Sequence, residues 1–299
     1  MPFSQSNRLP MVWYQGLMSD PADGRSAIQL GGFTYAPQFM SKDEGDALIE
    51  FFGSVQPLWE QRYRDQGKER NQNHHRRLTR PVYWLGAWQF ACHGYYSEPQ
   101  HTEHRCMRAE GFPPVIREIL SRLEPVLAEH HAEQHDPRLE ILPNTALINY
   151  YGREVGDGVP RDYARLRMHR DHEPGPVIMF NIGQPGLIEF LDPARSPEPE
   201  LRLWMRHRSI SIISGADFKD RLYHRVTQVR TGNLPAMHCQ VANFELRRVS
   251  VSFRHVPKEK IANFSEFPEE SQDQVRDYVE TLAERSEYFR SQLQKPVVP

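Results

Sequence analysis

Arg248-Val-Ser250-Val-Ser252-Phe-Arg254 alternates without interruption between polar and apolar side chains. A period of two predicts a β-strand, with Val249, Val251 and Phe253 on one face and two arginines and two serines on the other. Burying such a row of cations and hydroxyls is costly unless anions meet it. Upstream of it, from Leu139 onward, the same strand-like texture persists. Segments fall at Thr145–Tyr151, Ala164–Asp171, Val177–Ile182, Leu187–Leu191, Leu201–Met205, Ser209–Ser214 and His238–Ala242, and a last one at Arg248–His255. Clusters of Pro, Gly, Asn and Asp separate them, which predicts a double-layered or barrel-like β-core.

The amino-terminal half reads differently. A short strand is expected within Gly31–Met40, followed by a helix opened by Ser41 with Glu44 three residues later, a capping-box pattern. A second helix is expected near Pro114–His131, where Val115, Ile116, Ile119, Leu120 and Leu123 recur at helical spacing. Between them, Gln61–Arg80 is polar and carries seven arginines and lysines, Arg80 included. It reads as a solvated loop or a phosphate-contacting edge. The tail Ser265–Gln294 reads as a polar, weakly amphipathic helix on the outside. The expected organisation is α+β: an N-terminal support region (1–80), a lid and support helix (81–138), a β-core (139–257) and a C-terminal helical tail (258–299), forming one catalytic unit.

Composition narrows the class. The chain has 299 residues with 38% hydrophobic content, enough for a substantial core. Apolar runs such as Val177–Ile182 are far too short to span a bilayer, and no signal peptide is evident, so a cytoplasmic protein is expected. The three cysteines, Cys92, Cys106 and Cys239, have no metal-like spacing. A net charge of -2 supplies no general attraction to nucleic acid, so a nucleic-acid substrate would need a local basic surface.

In Tyr163-Ala-Arg-Leu-Arg-Met-His169-Arg-Asp171, strict alternation puts Leu166 and Met168 on one face and Arg167, His169 and Asp171 on the other. His169 and Asp171 then aim an imidazole and a carboxylate into the same space. A histidine from a distant strand would complete a two-histidine, one-carboxylate triad, which leaves iron(II) three open positions. 2-Oxoglutarate chelates through two of them and O2 takes the third. The Arg248–Arg254 strand supplies the matching cations, since a guanidinium suits a carboxylate.

Together these segments resemble the AlkB family of iron(II)/2-oxoglutarate dioxygenases, over about Gly31–Val256. Leu147-Ile-Asn149-Tyr-Tyr151-Gly152 is similar to the family's co-substrate strand, and His169-Arg-Asp171 to its iron-binding pair. Asn181-Ile-Gly-Gln-Pro-Gly-Leu-Ile-Glu-Phe190 resembles the strand–turn–strand that follows. Ile212-Ile-Ser-Gly215 and Arg221-Leu-Tyr-His224 resemble the approach to the distal histidine, and Arg248 and Arg254 have the family's separation. The resemblance implies a double-stranded β-helix (jelly-roll) core holding Fe(II) through His169, Asp171 and His224. It implies 2-oxoglutarate binding by Asn149, Tyr151, Arg248, Ser250 and Arg254, with O2 as oxidant.

Leu85-Gly-Ala-Trp88 followed by Gly94-Tyr95 is similar to the lid of the family's alkylated-base demethylases. It implies Trp88 and Tyr95 as stacking residues for a flipped-out base, Glu173 at its polar edge, and alkylated nucleic acid as partner. The chain departs from the family at Glu173 and Pro174, where the repair members carry acidic residues, the first a shorter aspartate. It also departs in the insertion within Arg153–Arg165, in the long connection from His224 to Arg248, and at Ser250, which stands in place of an asparagine. Two alternatives follow: the same chemistry on a protein, peptide or small metabolite, or a metal-binding β-barrel without turnover.

Overall fold

The structure is a computed structural model that describes residues 28–63, 75–78, 80–90, 106–132, 142–156, 161–232, 234 and 237–294. Eleven strands build its two main sheets. They are β1 (Ile28–Leu30), β2 (Phe33–Ala36), β3 (Val82–Leu85), β4 (Thr145–Glu154), β5 (Leu166–His169), β6 (Val177–Gly183), β7 (Gly186–Leu191), β8 (Leu201–Met205), β9 (Ser209–Ile213), β10 (Tyr223–Val229) and β11 (Phe244–Arg254). The larger sheet runs β1-β2-β9-β6-β11-β4-β3, and the short strand Arg161–Asp162 adds to β4. The smaller one runs β5-β10-β7-β8. From β4 to β11 the chain passes repeatedly between the sheets, the winding of a double-stranded β-helix.

Both faces of the larger sheet are covered, so its central strands β6 and β11 are buried almost throughout. Inside the barrel, Phe33, Met179, Ile188, Phe190, Leu203, Met205 and Phe218 meet across the two sheets. On the outer face, Ile148, Val249, Val251 and Phe253 pack under helices α1 (Lys42–Ser54) and α2 (Pro114–Ala132). The α1 start is the expected one: Ser41 caps it and Glu44 closes the capping box.

The carboxyl-terminal segment corrects the expectation of an outside helix. It forms α3 (Glu269–Ala283) and α4 (Glu287–Gln294), which bury Val275, Val279, Leu282 and Phe289 in the outer-face core. Phe289 has no exposed surface and meets Trp88 edge-on at 6.0 Å. Two other expectations are corrected. His238–Ala242 is not a strand; only the bridge Met237–Leu246 pairs there. Tyr223–Val229, unassigned by pattern, is a full strand of the smaller sheet. No helix of the described residues is long and apolar enough to cross a membrane. Phe289→Ala is expected to lower the unfolding free energy by about 3–5 kcal/mol in urea denaturation. A loss under about 0.5 kcal/mol, the size of a surface substitution, would mean that the C-terminal helices do not share the core.

Candidate metal and co-substrate site

β5 is an edge strand that pairs only with β10, and the pairing is irregular: Leu166 lies opposite Val226 and His169 opposite His224. Two residues on β5, Arg167 and Met168, therefore face one on β10, Arg225. This is a β-bulge, which re-aims the side chains beyond it. Leu166 packs into the barrel core and His169 also turns inward, while Arg167 and Met168 are both exposed. Strict alternation would have sent Leu166 and His169 to opposite faces; the bulge corrects that expectation.

The two imidazoles stand 4.2 Å apart between ring centroids. Asp171 follows the end of β5, with Oδ2 3.5 Å from His224 Nε2. One ligand atom from each of His169, Asp171 and His224 lies within 4.8 Å of the others. His169 Nδ1 lies 2.9 Å from the Arg167 carbonyl, which can only accept, so Nδ1 carries the proton and Nε2 presents a lone pair. Burial, then the neighbouring His169 and Arg254, push the His224 imidazole down to about 3 against the pull of Asp171. Burial likewise lowers His169. Burial would raise the Asp171 carboxyl, but Arg254 and the two imidazoles outweigh it and hold it well below the usual carboxylate range. Two neutral imidazoles and an ionised carboxylate are the forms that bind a divalent metal.

Away from the triad, β11 and β4 present a second group of polar residues. Arg248 is fully buried; burial pulls its guanidinium down to about 10. It donates to Asn181 Oδ1 and, at 3.3 Å, to the Met205 carbonyl, while its Nε has no hydrogen-bond partner. Among the described residues no carboxylate lies within 4.0 Å of it, so a buried cation here lacks its anion. Gly186 makes the room: a Cβ there would stand 2.9 Å from Arg248 Cζ. Tyr151 lies between two guanidinium groups, with Arg248 Cζ 5.8 Å and Arg80 Cζ 5.5 Å from its ring centroid. Ser250 Oγ donates to Tyr151 Oη at 3.5 Å. Arg80 Nε donates to Asn149 Oδ1 at 2.7 Å, which turns the Asn149 amide nitrogen away as a free donor. The residues present thus fit both a divalent metal and a carboxylate-bearing ligand.

Of the expected co-substrate residues, Asn149, Tyr151, Arg248 and Ser250 gather in this pocket. Arg254 does not join them; its Nε donates to Asp171 Oδ1 at 2.8 Å and sits 3.6 Å from Glu173. Its place beside Asp171 puts it at the metal end of the site. Glu173 lies in the loop two residues after Asp171, with its carboxylate 3.6 Å from Arg254 Nε. Trp88 corrects the lid expectation: it is a core residue with no exposed surface, stacked on Phe90 at 4.9 Å and donating to Glu60 Oε1. Tyr95 and most of the basic run lie outside the described residues. Sequence reasoning missed Arg80, Asn181, Gly186 and Lys219. Arg80 carried a signal as the last cation of the basic run, and Asn181 and Gly186 lay within the quoted strand–turn–strand motif without being singled out; Lys219 carried none.

Two imidazoles and a carboxylate near a buried, anion-seeking arginine, all inside a double-stranded β-helix, define a metal- and carboxylate-dependent enzyme site. The profile of the 2OG-Fe(II) oxygenase superfamily matches residues 32–254, well over half of the chain, and the chain belongs to that family. It is a 2-oxoglutarate-dependent dioxygenase, with Fe(II), 2-oxoglutarate and O2 as its cofactor and co-substrates. No curated protein matches the sequence. Among solved structures, one described as "The structure of OsALKBH1" is similar at 16% identity and a TM-score of 0.48, over 77% of this chain and 100% of that one.

His224→Ala is expected to abolish stoichiometric iron(II) binding and succinate formation, because two ligands do not retain the metal geometry. Wild-type iron content in that variant would refute the triad. Gly186→Ala is expected to raise the KM for 2-oxoglutarate about tenfold, by displacing the Arg248 guanidinium, while leaving bound iron unchanged. An unaltered KM would remove Arg248 from co-substrate binding.

Proposed function

We propose that this chain is an AlkB-type oxygenase that oxidatively removes alkyl groups from N-alkylated nucleobases in DNA or RNA. In this reading His169, Asp171 and His224 hold iron(II), and Arg248, with Tyr151, Asn149 and Ser250, holds the distal carboxylate of 2-oxoglutarate. With iron(II), 2-oxoglutarate and O2 in place, the chemistry supplied would be insertion of one oxygen atom into a C–H bond of the substrate's N-methyl group, the other leaving in succinate as CO2 is released. The N–CH2OH product then loses formaldehyde and returns the unmodified base. Arg248 fixes the co-substrate in a pocket that, among the described residues, it shares with no carboxylate, and Arg254 keeps Asp171 ionised and aimed. Burial keeps both histidines unprotonated, so neither needs to lose a proton before binding metal.

The observation that carries the substrate assignment is the charge beside the metal-bearing strand. Arg161, Arg165 and Arg167 are exposed on the segment leading into His169, and among the described residues no carboxylate lies within 4.0 Å of any of them. Several other arginines are paired, as Arg122 is with Glu44, Arg153 with Glu245, Arg202 and Arg225 with Glu189, and Arg221 with Glu200, while Arg108, Arg117, Arg230 and Arg285 are exposed and, among the described residues, likewise without a carboxylate within 4.0 Å. In a chain of net charge -2, three such cations within the short segment leading into His169 supply a local basic surface of the kind phosphate binding needs. The sequence motifs shared with the AlkB family support the same reading.

The burial of Trp88 favours a second reading, the same chemistry on a protein, peptide or small metabolite, because that indole cannot stack a base. Formaldehyde release from methylated single-stranded and duplex oligonucleotides decides between them. Release is expected, and Arg165→Glu with Arg167→Glu should raise the oligonucleotide KM at least tenfold and flatten its salt dependence. No release from any oligonucleotide, alongside brisk succinate formation with a peptide or metabolite, would establish the second reading instead.

A further inference from the structure

Lys219 belongs to a π-helical turn, Gly215–Arg221, that leads into β10 and His224. Its side chain is buried, and burial lowers its pKa. A lysine so placed normally finds a carboxylate. Among the described residues this one has none within 4.0 Å. Its ammonium donates instead to two backbone carbonyls, those of Glu173 and, at 2.6 Å, Gly175. Asp171, Glu173 and Asp220 are the anions whose field it feels, and Arg254 the opposing cation.

The two carbonyls belong to the loop that follows Asp171. His169 and His224 are held by strand pairing, but Asp171 lies past the end of β5 and has no ladder to fix it. Two anchors remain. Arg254 grips the carboxylate, and Lys219 grips the backbone two and four residues further on. Lys219 also stands five residues before His224, so it ties the approach to one ligand to the loop carrying another. π-Turns inside regular structure are frequent at functional sites, where they re-aim a side chain.

We propose that Lys219 is a positioning residue that locks the Asp171–Gly175 loop to the His224 approach, so that the three ligands are arranged before metal arrives. The proposal rests on the metal assignment of His169, Asp171 and His224, and not on the nucleic-acid reading. Partners of this kind that orient a ligand without touching the metal are typically worth about 10–100-fold in metal affinity.

The test is cobalt(II) titration of the full-length protein under anaerobic conditions, followed by visible absorption, with hydrogen exchange of the 172–176 amides as a second readout. Lys219→Met, which keeps the stem and removes the donors, should weaken cobalt(II) binding about 10–100-fold and accelerate exchange in that loop. Lys219→Arg should recover most of the affinity. Phe289→Ala, which destabilises the core far from the loop, should leave cobalt affinity unchanged, separating positioning from general loss of stability. If Lys219→Met does not fold, Lys219→Gln, which keeps a donor for one carbonyl, is expected to bind between wild type and the loss predicted for Met. Wild-type cobalt affinity in whichever of these variants folds overturns the proposal. Retained cobalt binding in His224→Ala would instead overturn the metal assignment.

Discussion

One bulged pairing governs the site. Leu166 and His169 both turn into the barrel because β5 carries one more residue than β10 between its two inward contacts. Leu166 thereby anchors the edge strand in the apolar core, and His169 meets His224 across the ladder. Without the bulge one of the two would point to solvent. The apolar anchor and the metal ligand would then compete for the single inward register that a period of two allows. The two residues expelled by the bulge, Arg167 and Met168, become the exposed rim of the site.

The interior so formed concentrates charge in a dry space, and its balance explains which side chains pair. Near the metal ligands, Asp171 and Glu173 are answered by Arg254 and by the field of Lys219. In the second polar group, Arg248 is answered among the described residues by neutral acceptors, the Asn181 amide and the Met205 carbonyl. Removing a guanidinium from water costs several kcal/mol even after relaxation, and neutral acceptors recover only part of it. The deficit is located where a dicarboxylate would end. The barrel thus carries an internal debt of one negative charge beside Arg248, and none at the metal end.

How much of this was legible in the sequence depends on how local each cause is. The capping box at Ser41 and Glu44 is a three-residue matter and was readable. So was the alternation of β11 over Arg248–Arg254, where its pairing with both neighbours is regular; a register shift falls just before that run, between Leu246 and Arg248. The His169–Asp171 spacing was readable as a ligand pair, but the face assignment of its neighbours was not, since a bulge is decided by what Leu166 and Val226 meet inside the barrel. Tyr223–Val229 gave no clear pattern because its outward residues include Arg225, which is neutralised only by Glu189 on β7. Trp88 and the C-terminal helices deceived for one shared reason. Their partners are each other: Phe289 meets Trp88, and Tyr278 stacks on Phe90, across almost two hundred residues of chain. A helix with few apolar residues looks external until the few are seen to fill a ready-made cleft.

Glu173 then takes a different part at the mouth from the one its charge suggests. A free carboxylate there would attract a cationic base as a counter-ion. This one lies 3.6 Å from Arg254 Nε, and the ammonium of Lys219 grips its own backbone carbonyl. With Arg254 already facing it, part of its charge is answered within the protein, and what it would also offer a substrate is the hydrogen-bond acceptor capacity of its oxygens. Discrimination at that point would rest on whether a substrate brings an N–H donor, because a buried acceptor left unmatched costs about 1–3 kcal/mol. On the proposed nucleic-acid reading, attraction of the polyanion would fall to the exposed arginines on the segment leading into His169. The division follows from the bulge: it leaves Arg167 in solvent, where a guanidinium can reach a phosphate, and keeps the acid inside, where only a short, directional contact can reach it.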